Sequence, residues 1–416
     1  MKNFRMLYAA VFVILGVLLC KDTCYAKNVV VVIDPGHGGD NEGGKTEEYT
    51  ERDLTPIVAK YMKERLEQYE GIEVYLTRDG DIDKDLSRGD RAKIAADRNA
   101  DFMFSLHFNM SADHNLFGSE VWTSAFGEYY AKGQEFGYIE TAALEELGFF
   151  DRGVKTKISS KSDDDYYGII LGGKKVGIPT VIIEHCHLDE PRDNVFLTSE
   201  DCYRTLGYTD ADCVAKYFGL TSVSLGVDYS NYERRTFEAP TNPIRQDDSE
   251  PEYVEAIVDE IDEDNNIAHV RLRAHDSDSY VQYYQCSYDG GVTFDRLYPW
   301  NDDSDALEAS DSEEISIDVS LNTDKETKLI VRAYNPYEYY TESEMLVLPI
   351  GTHEEVQITP QVVTVNQDVQ TAEKDRDYRM YYIVGGVLGM LVLLTIVAEV
   401  IVIGHYKMKH KKGRRK

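Results

Sequence analysis

The chain is predicted to hold an α/β domain on a mainly parallel, twisted sheet flanked by helices. A small β-sandwich and a single C-terminal transmembrane helix follow. Three patterns predict this. Between Asn28 and about Leu220, short apolar runs alternate with stretches of helical spacing, as in a sheet covered by helices. Between about 250 and 350 the runs alternate residue by residue and are broken by turn signals, the pattern of two packed antiparallel sheets. From Ile383 to Ile403 the chain is almost continuously apolar, long enough to cross a bilayer, which takes about 20 residues.

At the N-terminus, Lys2 and Arg5 precede an apolar run from Met6 to Leu19 and the small-residue stretch "CYAKN". A basic start, a short apolar core and a Cys-x-Ala site describe a secretory signal peptide over 1–26. An uncleaved anchor is the alternative. Leu19 is too large for the small residue expected before a lipidated Cys20.

Residues 27–220 form the α/β domain. Strands are predicted at "NVVVVID" (28–34), "IEVYLT" (72–77), "DFMFSLHF" (101–108), "SEVWT" (119–123) and "PTVIIEH" (179–185). Helical spacing falls on 54–66, "LSRGDRAKIAADRN" (86–99) and "AKGQEFGYIETAALEELG" (131–148). Residues 221–249 lack periodicity, contain Pro240 and Pro243 and read as a linker. The sandwich, 250–350, runs through "YVEAIVDEI", "IAHVRLRAH", "SYVQYYQCSY", "EEISIDVS" and "TKLIVRAYN". Its "QCSYDGGVTF" resembles immunoglobulin-like or fibronectin-like modules. Residues 351–380 read as a polar stalk, 381–404 as the membrane helix and 405–416 as a basic cytoplasmic tail. Lys407, Lys409, Lys411, Lys412, Arg414, Arg415 and Lys416 hold that tail inside, so the expected location is the cell membrane, single-pass, with an extracellular body. Glu399 reads as a carboxyl near the headgroups.

The net charge of -31 argues against nucleic acid as a partner. Cleavage after Ala26 would leave Cys186, Cys202, Cys213 and Cys286, too few for a disulfide scaffold. Whether Cys202 and Cys213 pair is left open.

Chemistry in parallel sheets collects at the carboxyl ends of strands. "VVVVIDPGHGGD" ends a buried strand by presenting His37 among glycines, which let a ligand approach closely. "DFMFSLHFN" ends another at His107. In "YTERDLTP", Glu51 opens a helical pattern, with Thr50 as candidate N-cap. Pro56 also suits a helix that starts later and leaves Glu51 in a loop, and Glu47 and Glu48 are rival carboxylates. Glu184, in "GIPTVIIEHCHLDE", puts a charge at the end of an apolar strand, costly unless paired or bound. Two histidines and a carboxylate suit Zn2+ with one position open. A carboxylate off the metal can take a proton from water and return it to a departing amine, and Glu184 fits that role.

These pieces resemble the zinc-dependent N-acetylmuramoyl-L-alanine amidases of the "amidase 3" family. The matching segments are "VVIDPGHGG", "ERDL", "EVYLTRDGD", "DLSRGDRAKIAADRNADFMFSLHFN", "GSEVW", "RGVK" and "IPTVIIEHCHLDEPRDNVFL", in family order over nearly all of 28–220. The resemblance implies His37, Glu51 and His107 as ligands of one zinc ion and Glu184 as the catalytic carboxylate. It selects Glu51 over its rivals. His185, Cys186 and His187 depart from the family's small or apolar residues. On a strand His185 faces away from Glu184, while Cys186 could share its face and tune the site; the favoured reading is neighbours that fill space or bond the backbone, and a second metal site is a remote alternative. Asp34 and Asn109 are candidates for orienting ligands or substrate, with a turn-forming role the equal alternative for Asp34. Arg78, Arg88 and Arg91 read as ion-pair partners.

The resemblance implies hydrolysis of the amide between the lactyl group of N-acetylmuramic acid and L-alanine in peptidoglycan, during cell-wall remodelling. The alternatives are a zinc peptidase cutting within the stem peptide and a non-catalytic wall-binding surface protein. The sandwich could be a spacer, a wall binder or a docking surface for a membrane or wall protein.

Overall fold

A computed structural model describes residues 27–78, 85–300 and 314–352. The signal peptide, membrane helix and basic tail expected above, and all but the start of the stalk, lie outside these residues. Among the described residues no helix is long and apolar enough to cross a membrane.

The first region is a six-stranded sheet. Its strands are β1 (Val29–Pro35), β2 (Ile72–Leu76), β3 (Phe102–Asn109), β4 (Ser119–Thr123), β5 (Asp151–Thr156) and β6 (Thr180–His187), in the spatial order β2-β1-β3-β6-β4-β5. All neighbours are parallel except β4 against β6. The longer helices are α1 (Glu51–Leu66), α2 (Arg88–Asp97), α3 (Gly127–Glu146), α4 (Gly168–Val176) and α5 (Glu200–Phe218).

Side chains alternate across a strand, so each strand feeds two cores. Val31 and Ile33 join Phe102, Phe104 and Phe136 under α1, α3 and α5. Val30 and Val32 join Met103, Ala95, Ile170 and Ile182 under α2 and α4. This continuous apolar character is what a sheet buried on both faces requires.

β5 is a strand that hydropathy missed. Its sequence "DRGVKT" is polar, yet Arg152 and Lys155 are both buried, sustained by ion pairs. Cys202 and Cys213 both lie on α5. Eleven residues along a helix place them roughly 16 Å apart, far beyond disulfide reach, and all four cysteines are free.

The second region is β-rich. Strands β7 (Tyr253–Asp262), β8 (Ile267–His275) and β11 (Glu314–Ser320) form one sheet, in the order β11-β8-β7. The other holds β9 (Tyr283–Ser287), β10 (Tyr298–Pro299), β12 (Thr327–Tyr334) and β13 (Tyr340–Glu342), with β14 (Leu346–Leu348) paired to β12. Val254, Val270 and Leu272 from one sheet meet Cys286, Leu329 and Val331 from the other in a shared core, capped by Trp300.

Both regions belong to one compact unit that ends at Thr352. Residues 229–249 carry no regular element but are pinned to the α/β region. Ile244 donates to the Ala125 carbonyl at 2.9 Å, and Ile158 N–H donates to Gln246 Oε1 at 2.8 Å. Tyr283 of β9 donates to the Phe117 carbonyl at 2.9 Å and packs against Phe117 and Phe150.

Candidate metal centre and catalytic cleft

The cleft opens at the carboxyl ends of β1, β3 and β6. Beyond β1 the chain turns through Gly36 to Gly39. Arg78 and Arg91, both buried, hold this turn: Arg78 donates to the Gly36 carbonyl at 2.7 Å and Arg91 to the Pro35 carbonyl at 2.7 Å. Asp34 balances Arg91 across 2.7 Å and accepts from Ser105 at 2.8 Å. Both arginines and Asp34 therefore serve the architecture of the turn. His37 itself sits at φ 60°, a conformation that costs a non-glycine residue energy and clusters at functional sites.

Glu51 lies in the first turn of α1, which starts there despite Pro56. Its side chain is 4% exposed. Oε2 lies 3.0 Å from His37 Nε2 and Oε1 lies 2.8 Å from His107 Nδ1. The backbone N–H groups of Gly44 and Phe108 donate to the same carboxylate at 2.7 and 3.1 Å. Burial alone would raise the Glu51 carboxyl. The hydrogen bonds and charges of His107 and His37 overcome it and hold Glu51 well below the usual range.

Donor atoms of His37, Glu51 and His107 all lie within 4.8 Å of one another. Each imidazole is fixed by its other nitrogen: His37 Nδ1 is 3.0 Å from Asn41 Oδ1, and His107 Nε2 is 3.2 Å from Ser105 Oγ. Such outer bonds set the tautomer of a metal-binding histidine. The packing is tight enough to demand glycine twice. A Cβ on Gly36 would lie 2.5 Å from His107 Cε1, and one on Gly43 would collide with Glu51 Oε2. The donor set and its cradle fit a zinc ion. Among the described residues this is the one cluster of three or more such donors. Glu47 and Glu48 are exposed and outside it.

Glu184 stands opposite His107 in the β3–β6 register and opposite Glu120 in the β6–β4 register. It lines the same cleft, of about 560 Å³, as His37, Glu51 and His107. Its Oε2 is buried without a hydrogen-bond partner among the described residues. Burial, reinforced by the charges of Glu51 and Glu120, raises Glu184 well above the ordinary carboxyl range, against a weaker pull from Arg152. A carboxyl so placed is suited to taking up a proton and passing it on.

Glu120 is the residue that sequence reasoning missed. It accepts from Arg152 Nε at 2.9 Å, Lys155 Nζ at 2.8 Å, Asn109 Nδ2 at 2.8 Å and Trp122 Nε1 at 3.0 Å. Burial would raise it, but Lys155 and Arg152 hold it well below the usual range. The proton affinities of the two facing carboxyls are thus driven apart, Glu184 upward and Glu120 downward. The available signal was the charge in the middle of "GSEVW".

His185 points away from Glu184, as alternation requires. Its Nδ1 lies 2.9 Å from the His107 carbonyl and its Nε2 lies 3.0 Å from Asp210. Cys186 does not share the Glu184 face: a register shift in the β3–β6 pairing turns it into the core with Val181 and Ile183. Arg88 also departs from expectation. It lines the cleft, and no ion pair joins it to a carboxylate among the described residues.

Residues 31–216 match the family profile described as N-acetylmuramoyl-L-alanine amidase, Amidase_3. The chain is 26% identical over 197 residues to the sporulation-specific N-acetylmuramoyl-L-alanine amidase of Bacillus subtilis (strain 168), covering 47% of this chain and 71% of that protein. It is 26% identical over 202 residues to the endolysin of Bacillus phage SPP1, covering 47% and 69%. Among solved structures it is similar to the catalytic domain of CwlV, an N-acetylmuramoyl-L-alanine amidase from Bacillus (Paenibacillus) polymyxa var. colistinus. There the identity is 25% and the TM-score 0.38, over 46% of this chain and 98% of that one. Residues 31–216 therefore carry an N-acetylmuramoyl-L-alanine amidase, a hydrolase acting on cell-wall peptidoglycan.

Proposed function

We propose that the amidase depends on zinc held by His37, Glu51 and His107, with Glu184 as its catalytic carboxylate. The observation that carries this reading is the convergence of three donor atoms within 4.8 Å beside a carboxyl whose Oε2 has no partner. Bound there, zinc supplies Lewis acidity, polarising an amide carbonyl and acidifying water at neutral pH.

The chain's own groups do the rest. Gly36 and Gly43 leave the donors room to converge. Asn41 and Ser105 fix the imidazoles, and Glu51 supplies the negative charge. Glu184 takes a proton from the attacking water as base, then delivers it to the L-alanine nitrogen as the C–N bond breaks. Its raised proton affinity helps it keep that proton until the departing amine takes it.

The location completes the reading. A signal peptide over 1–26 and a membrane helix over 381–404 would hold the enzyme at the outer face of the cell membrane, against its polymeric substrate.

The test is digestion of purified peptidoglycan by the full chain, with and without a chelator. New L-alanine amino termini, lost on chelation and restored by zinc, are expected. Product formation indifferent to chelation, or new termini inside the stem peptide, overturns the proposal.

A further inference from the structure

We propose that the cavity between the loop after β3 and the β-rich region is a saccharide subsite, so that the second region forms part of the substrate cleft. The proposal rests on the peptidoglycan reading above. In that substrate the scissile bond joins a sugar to a peptide. Two arms of different chemistry therefore leave the reacting atoms, one a neutral glycan and one an acidic peptide.

Two cavities meet the cleft. The larger, of about 700 Å³, shares Asn109 and Met110 with it and is walled on the far side by Phe294, Arg332, Tyr334 and Tyr340. The smaller, of about 310 Å³, shares Glu184 and Tyr167 with the cleft and is lined by Lys155 and Lys157. Both volumes lie in the range of small-molecule sites.

Charge and surface chemistry assign the arms. In the larger cavity Arg332 is neutralised by Glu342 at 2.8 Å, and its guanidinium lies 3.6 Å over the Phe294 ring. Glu338 is matched by Arg152 at 3.1 Å. Asp113 is left without a cation among the described residues, so nothing here attracts a carboxylate-bearing stem. The wall instead offers ring faces. Tyr334 and Tyr340 lie 5.0 Å apart, tilted by 42°, with the Arg332 guanidinium 4.6 Å from the centre of the Tyr340 ring on one side, and the Tyr334 hydroxyl donates to Gln285 Oε1 at 2.8 Å, which fixes its ring. A sugar ring has an apolar C–H face that lies on such a platform, with amphipathic aromatics serving both its dry and wet sides. Across the cavity Asn115, whose side-chain amide makes no hydrogen bond among the described residues, lines the same space, and an amide there can meet hydroxyl or acetamido groups. By contrast, Lys157 in the smaller cavity has no ion-pair partner among the described residues and suits the acidic peptide.

The ridge between the cavities is built to be rigid. Glu338, which lines both, is held at φ 73°. It is clamped by Arg152 and by a turn in which the fully buried Asn335 accepts from the N–H groups of Tyr337 and Tyr339. Backbone held in that region persists where the surroundings over-determine it.

The test is calorimetric titration of the full chain, in detergent micelles, with peptide-free glycan strands. This needs no catalysis, so it can fail independently of the amidase assay on the same preparation. The parent is expected to bind, Tyr340→Ala to bind about three- to tenfold more weakly, and Tyr340→Phe to bind as the parent does. Tyr340 is exposed, so its variants are expected to melt with the parent. Asn115→Asp, on the opposite wall, gives a second loss. No binding by the parent, undiminished binding by Tyr340→Ala, or displacement of the glycan by free stem peptide overturns the assignment.

Discussion

Replacing Glu184 by glutamine exchanges a carboxyl for an amide of the same size. The strand should fold as before, because the Oε2 atom that changes has no hydrogen bond to lose among the described residues. What disappears is the ability to accept and return a proton. General acid–base groups contribute about 10²–10⁴ in rate, or roughly 3–5 kcal/mol of barrier. The structure places Glu184 in the upper half of that range, since no neighbour can substitute. Glu51 is committed to two histidines and two backbone N–H groups, and Glu120 is occupied by four donors. The assay is the rate of new L-alanine amino termini from purified peptidoglycan, with bound zinc and melting temperature measured on the same sample. Glu184→Gln should lose about a thousandfold or more in kcat with zinc content intact. Activity within tenfold of the parent, or a loss of zinc that tracks the loss of rate, refutes the assignment.

Gly36→Ala should place a methyl 2.5 Å from the His107 ring and push that imidazole from its position. Misplacement by about 1 Å costs roughly a hundredfold in rate, so the variant is expected to lose at least that much activity together with zinc, read by elemental analysis. Glu140 tests the electrostatics of the core. It is fully buried beside Asp210, and burial together with the Asp210 charge raises it well above the ordinary carboxyl range. A raised carboxyl gives stability that is complete below its unfolded value and is lost as pH climbs toward the folded one, by about 1.4 kcal/mol per pH unit. Glu140→Gln removes that titration. Its melting temperature should gain on the parent as pH rises from 5 to 8; a gap that does not change with pH contradicts the assignment.

Much of this was legible because the sheet's interior is written in apolar runs. Val29–Ile33 and Phe102–Phe108 announce themselves, the first followed by His37 in the turn beyond it and the second carrying His107 near its end. Glu184 was visible for the same reason, as a charge where burial forbids one without purpose. β5 was not visible. Arg152 and Lys155 look like solvent-facing residues until Glu120 is placed between them, and Glu120 lies about thirty residues earlier in the sequence. Periodicity reports on the surroundings of one segment and is blind to ion pairs that close in space. The Cys186 face failed on the same ground: one register shift in β6 turned it into the core, and alternation alone cannot foresee a bulge. The mutual placement of the two regions was also out of reach, because a segment without periodicity, such as 229–249, looks the same whether it is free or pinned by Ile244 and Gln246.

That placement bears directly on the surroundings of β6, the strand that carries Glu184. Two buried cations, Arg152 and Lys155, surround the single carboxylate of Glu120, which would leave an excess positive charge one strand from Glu184. The second region supplies what is missing. Glu338 pairs with Arg152 at 3.1 Å, and the Pro336 carbonyl accepts from Lys155 at 2.6 Å. Buried charges are tolerated only when balanced and hydrogen-bonded, so β4 and β5 can keep this network only with the 335–340 turn in place. An unbalanced Arg152 would also pull the Glu184 proton affinity down, since it already acts in that direction. The β-rich region thus does more than extend the molecule. Its turn completes the charge balance around Glu120, one strand from Glu184, and it does so from the ridge that separates the two substrate-sized cavities.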